Sequence, residues 1–202
     1  RSIRVYYNPA TFHESPIVAN KTRAPTLPEM WSAQVSLWVQ QDVVKAIEEL
    51  NEEFAKTAGD GDVYVEHSPV KHLVAVRVHG YRRPDGKLVP FPASIVERLE
   101  PSQSFTDAKG DEQFDVVRFT VQAVVDQRHV LRLVDAITRA NFYRCVNIRY
   151  EAVPAEHATM GYQYGTAPVV LVTVDFEGFM ARAIYDPWMP PAVRSMLGGE
   201  GG

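Results

Sequence analysis

One cysteine, Cys145, stands in the whole chain. An intramolecular disulfide is therefore excluded, and the fold holds without covalent staples. The compartment stays open on that count, because cysteine-poor domains persist in oxidising and reducing surroundings alike. No apolar run approaches the ~20 residues a membrane-crossing helix needs. No leader with a basic start, an apolar stretch and a small-residue cleavage site is present. Arg1 in place of an initiator Met leads to the expectation of a trimmed N-terminus, with any membrane anchor upstream. A basic face is also missing. Lys and Arg number 21 against 25 Asp and Glu, a formal net charge of −4, and Arg82-Arg83 is too short a patch to bind nucleic acid.

Chemical motifs are scarce as well, and each near-match fails on spacing. Gly59-Asp60-Gly61-Asp62 lacks the alternating oxygen ligands and closing Glu of a calcium loop, so it reads as a linker. His13-Glu14 has no further ligands nearby and reads as a loop. Glu66-His67 and His72 place two histidines five apart across Pro69, whereas a zincin needs four on a helix. The glycines of Gly161-Tyr162-Gln163-Tyr164-Gly165 are too sparse for a phosphate cradle. Cys145 sits between Arg144 and Val146 in a strand pattern, with no histidine beside it in the chain, and Asp111-Glu112 reads as a polar loop. The expectation is no catalytic residue, no metal and no cofactor.

What the chain does have is patterning. With 46% hydrophobic and 23% charged residues it has ordinary globular composition. The stretch from Val116 to Glu151 reads strand, helix, strand. Val117, Phe119, Val121, Ala123 and Val125 alternate with Arg118, Thr120 and Gln122, the period of a strand with one buried face. Asp126 takes the N-cap position of a helix carrying Val130, Leu133, Val134 and Ile137, and Asn141 stops it. Val146, Ile148 and Tyr150 then alternate with Asn147, Arg149 and Glu151.

Upstream, Pro9, Pro16, Pro25 and Pro28 predict an extended segment over 1–32, with a short strand possible at Ile3, Val5 and Tyr7. Val35, Trp38, Val39, Val43, Ala46, Ile47, Leu50 and Phe54 recur at helical spacing and predict an amphipathic helix over 33–56. A strand follows at 70–81, with Val70, His72, Val74, Val76 and Val78 on one parity. The connection 82–114 holds a turn at Arg83–Lys87, a hairpin return at Leu88–Phe91 and a helical turn at Ile95, Val96 and Leu99. Val169–Phe176 reads as a nearly continuous apolar strand, buried inside the sheet, and 178–202 as a tail that docks on its own domain or on another chain.

Helix, strand, strand thus occurs twice: 33–56, 70–80, 115–125, then 127–141, 143–152, 168–177. The predicted fold is α+β and ferredoxin-like in a permuted αββ-αββ order. It has a four-stranded antiparallel sheet with both helices on one face, over a domain spanning 33–177. The stretch VVRFTVQAVVDQRHVLRLVDAITRANFYRCVNIRYEAV in that order resembles the periplasmic domain of PilO-type proteins of type IV pilus and type II secretion assembly platforms. The resemblance implies a non-catalytic interaction domain on the periplasmic side of the inner membrane, anchored through a segment absent from this chain. It implies protein partners, as a homodimer or with a sister subunit, and no nucleic acid. Trp31, Trp38, Tyr162, Tyr164 and Trp188 are the candidate interaction surface, each weighed against a packing role. Arg118, Thr120, Gln122, Asn147 and Arg149 are expected to line the sheet face away from the helices. The competing readings are a ligand-sensing regulatory domain and a small enzyme on the same fold.

Overall fold

The computed structural model describes residues 4–8, 11–12, 24–57, 64–82, 88–90, 106 and 112–196. The expectations for His13-Glu14, the 59–62 linker, the 83–87 turn, Ile95, Val96 and Leu99, Asp111 and the closing glycines lie outside the described residues. The elements run α1 (Leu27–Thr57), β1 (Val70–Arg82), β2 (Leu88–Pro90), β3 (Phe114–Asp126), α2 (Val130–Ala140), β4 (Tyr143–Glu151), α3 (Glu156–Thr159), β5 (Val169–Ala181), α4 (Arg182–Tyr185) and α5 (Pro191–Met196).

Every pairing in the sheet is antiparallel, in the order β2-β1-β3-β5-β4. Four long strands form the predicted sheet, and the three-residue β2 adds a fifth, short one. The central pair β3–β5 runs from Phe114 opposite Ala181 to Asp126 opposite Val169 without a register shift. Side chains alternate along each strand, so Val117, Phe119, Val121 and Ala123 face the same layer as Val172, Val174 and Phe176. They meet Val35, Val39, Val43, Ile47 and Leu50 of α1 and Val130, Leu133 and Ile137 of α2 in one core. Phe119 stacks on Phe176 at 5.1 Å and meets Tyr143 edge-on at 4.9 Å.

Several boundaries move, each for a local reason. α1 starts at Leu27, inside the segment expected to be extended. Pro28 falls in the first turn, where a helix amide has no intrahelical acceptor, so the proline opens the helix where the sequence reading had it block one. β3 is buried on both parities, Val116 and Val124 included. β1 departs from plain alternation at three register shifts, so Leu73, Val76 and Val78 join the core while His72 does not. The domain does not end at 177. β5 continues to Ala181, and the segment after it folds back to bury Tyr185, Met189 and Val193 in the same core. The tail thus docks on its own domain.

Asp126 caps a 3-10 turn, Gln127–His129, that leads into α2: its carboxylate accepts from the Arg128 amide at 3.0 Å and from the guanidinium at 3.0 and 2.7 Å. These bonds hold its pKa below the usual carboxylate value. At the N-terminus, Tyr6 and Phe12 form parallel bridges to His72 and Val76. The expected strand there is reduced to these two contacts, which cover the outer edge of β1 below β2.

Phe119→Ala is expected to lower stability by about 3–5 kcal/mol, the scale for an emptied aromatic site. Leu131→Ala, at 71% exposure, should stay within ~0.5 kcal/mol. Urea unfolding measures both, and equal losses would refute this placement of the core.

Candidate association surface

α1 crosses the end of the sheet where β3 starts, β4 starts and β5 ends. An open apolar groove of about 540 Å³ lies there, between Trp38 and Val35 of α1, Phe142 before β4, Phe179 of β5, Ile184 of α4 and Trp188. Trp188 ends a 3-10 turn, Asp186–Trp188, in which Pro187 fixes the backbone. Trp188, Ile184 and Phe142 stand 77%, 71% and 70% exposed on its rim. Asp42, one turn after Trp38, ties the floor together. It accepts from the Tyr143 phenol at 2.5 Å and from the Asn141 amide at 3.0 Å. Burial, and then the Asp42 carboxylate, push the Tyr143 phenol up from its ordinary value. The Tyr143 ring lies over Gly178, where a Cβ would meet it at 2.7 Å, so glycine is what lets the ring lie flat.

The five candidate aromatics do not form one surface. Trp38 and Trp188 share the groove. Trp31 is a correction: at 6% exposure it is core, set edge-on against Trp38 at 5.7 Å and beside Tyr185 at 6.0 Å. Tyr185, itself buried, encloses it from the far end of the chain. Tyr162 and Tyr164 lie at the other end of the sheet, half-buried in a ring cluster with Tyr6, His72 and His157. The Tyr164 hydroxyl is 2.9 Å from His72 Nδ1 and 2.7 Å from His157 Nδ1. It carries one proton, so it donates to one imidazole and accepts from the N–H of the other. Gly165, at φ +80, packs this loop against Glu66.

α1 carries a second feature that the core does not explain. Leu27, Met30, Leu37 and Val44 are 44%, 44%, 45% and 39% exposed. Met30, Leu37 and Val44 are seven apart, one stripe of the helix surface, on the side away from Val35, Val39, Val43 and Leu50. Ala33, Gln34, Gln40 and Gln41 lie around that stripe, and none is charged.

The sheet face away from the helices is polar. Thr120, Gln122, Asn147 and Arg149 line it as expected, around two carboxylates the sequence reading missed. Asp175 accepts from Thr120 at 2.7 Å, Asn147 at 3.1 Å and Arg149 at 2.9 Å. Glu177, fully buried, accepts from Arg144 at 2.6 Å and Thr106 at 2.7 Å. Since Thr120 gives its proton to Asp175, His79 Nε2 at 2.8 Å is the donor to Thr120. The missed signal was alternation: Thr173, Asp175 and Glu177 interleave with Val172, Val174 and Phe176.

Comparison with family models, curated proteins and solved structures yields no match. The remaining sequence candidates stay apart. His67 is exposed beside Glu66, whereas His72 is buried on β1. Cys145 is half-buried at a bulge in β4, and burial raises its thiol pKa. Among the described residues no three His, Cys, Asp or Glu side chains gather at metal-binding distance.

Burial, and then neighbouring positive charge from His157 and Arg118 respectively, lower His72 and His79 from 6.5 to about 4. The native chain keeps both neutral while the unfolded chain takes up protons below about 6.5. Their contribution is complete above that pH and is lost as pH falls toward 4, by at most ~1.4 kcal/mol per unit for each. Urea midpoints should fall between pH 7 and 5, and His72→Gln should flatten the slope. A flat wild-type profile would remove this reading of the two histidines.

Proposed function

We propose that the chain is a non-catalytic association domain with a permuted ferredoxin-like fold, of the PilO type, pairing with a second copy through the outer face of α1. The element order supports the fold reading: α1-β1-β3-α2-β4-β5 is a β-α-β-β-α-β unit whose first strand has moved to the end. Two αββ halves then share one sheet, with β3 and β5 at its centre.

The observation that carries the association reading is a helix apolar on two opposite faces. One stripe is filled by the sheet and α2. The other, Met30, Leu37 and Val44, lies open over about 21 Å of helix. Helices pack against helices at sevenfold spacing. A face without charge meets its own copy without repulsion, which suits a twofold interface. With Leu27, this end of α1 holds four of the twelve exposed large hydrophobics among the described residues. Clustering of this kind marks interaction sites. Among the described residues no helix is long and apolar enough to cross a membrane.

Sedimentation velocity from ~5 to ~200 µM should show a reversible dimer. Leu37→Glu, on an exposed position, should weaken it at least tenfold without shifting the melting temperature. Concentration-independent monomer would end the pairing proposal. Separately, the product of the full gene should pellet with membranes and need detergent for release. Recovery in the soluble fraction would end the assembly-platform reading.

A further inference from the structure

We infer that the groove beside Asp42 receives a polypeptide segment carrying one Lys or Arg side chain between apolar ones. This site is distinct from the outer stripe of α1 and does not depend on dimer formation.

The chemistry starts at Asp42. Its two partners among the described residues, the Tyr143 phenol and the Asn141 amide, are both neutral donors, so there the carboxylate has hydrogen bonds and no counter-charge. Around it the groove is mainly apolar; Phe179 of its wall already lies under the Arg144 guanidinium, while Trp38, Phe142 and Trp188 have no cation over their rings among the described residues. A charge beside low-dielectric walls attracts an opposite charge more strongly than one in open water. The same rings offer faces to a cation. Among the described rings Trp188 stacks on none and Trp38 meets only Trp31. An ammonium or guanidinium on an apolar stem satisfies both demands: the head pairs with Asp42 and the stem and its neighbours cover the rings.

The shape selects a polypeptide over a small molecule. Small-ligand pockets enclose most of their occupant. Here the rim residues Phe142, Ile184 and Trp188 stand at least 70% exposed, along an open trough. An occupant has to extend past the groove to cover them, and tryptophan at such a rim is the common anchor of protein interfaces.

The test is selection of a displayed random-peptide library on the full chain, with binding of the selected synthetic peptides followed by tryptophan fluorescence. Selected peptides are expected to carry a basic residue flanked by Leu, Ile, Trp or Phe, and their affinity should fall with added salt. Asp42→Asn keeps an acceptor for Tyr143; it should bind those peptides roughly tenfold more weakly and lose the basic preference in a repeat selection. Trp188→Ala, at an exposed position, should lose binding while melting as the parent does. The inference fails if peptides without a basic residue bind the parent equally well. It fails if Asp42→Asn selects the same sequences, or if nothing is enriched over the Trp188→Ala chain. Should Asp42→Asn melt early, the salt dependence of the parent and the Trp188→Ala comparison still decide the matter.

Discussion

The register between β3 and β5 is the constraint on which the rest depends. The two strands pair along their whole length without a slip. Because side chains alternate, that register assigns every residue of both strands to a layer. It sets Phe119 on Phe176 under the helices and Thr120 beside Asp175 on the far face. A shift of one residue in β5 would carry Asp175 and Glu177 into an apolar core, at several kcal/mol for each unpaired charge. On the far face it would strand Arg144 and Arg149, whose partners those carboxylates are. The core and the polar face therefore enforce the same alignment from opposite sides, and neither strand has a second low-energy pairing.

That alignment also decides what stands at each end of the sheet. At one end β5 runs on to Ala181 and turns the chain into α4, which sets Tyr185 under Trp31 and leaves Ile184 and Trp188 outside. With Phe142 from the α2–β4 turn, they wall a groove that no single element forms. At the other end Tyr6, from the N-terminal segment, and Tyr162 and Tyr164, from the loop before β5, close over His72. Rings from three separate parts of the chain pack on one another there. Burial in this cluster holds the His72 imidazole neutral.

Local structure was legible in the sequence wherever one element carries its own signal. The β3–α2–β4 unit follows the alternation, the Asp126 cap and the Asn141 stop that the residues announce. Pro28 misled because a proline excludes the interior of a helix but not its first turn. Val169–Phe176 masked its polar parity because Val170 and Leu171 open the strand with an apolar run. Trp31 and Trp38, seven apart, looked equivalent. Which of them is buried depends on Tyr185, over 140 residues away in the chain. The groove was illegible for the same reason: Trp38, Phe142, Phe179 and Trp188 come together only through the fold.

The two edges of the sheet bear on the proposal that association falls to the helix side. An unpaired strand edge is the usual place for one chain to add to another. The outer edge of β1 is already taken, by Tyr6 and Phe12 below and β2 above. β4 is irregular at Cys145–Asn147 and carries Arg144, Arg149 and Glu151, which oppose the docking of a like strand. The polar face spends its carboxylates on its own arginines. Among the described residues, α1 presents an uncharged apolar stripe at Met30, Leu37 and Val44, in its N-terminal part. From Lys45 onward Glu48, Glu49, Glu52 and Lys56 return it to an ordinary solvated helix. A helix built only to cover the sheet would be polar along its whole outer face. The change of character at Val44 marks where the proposed contact would end.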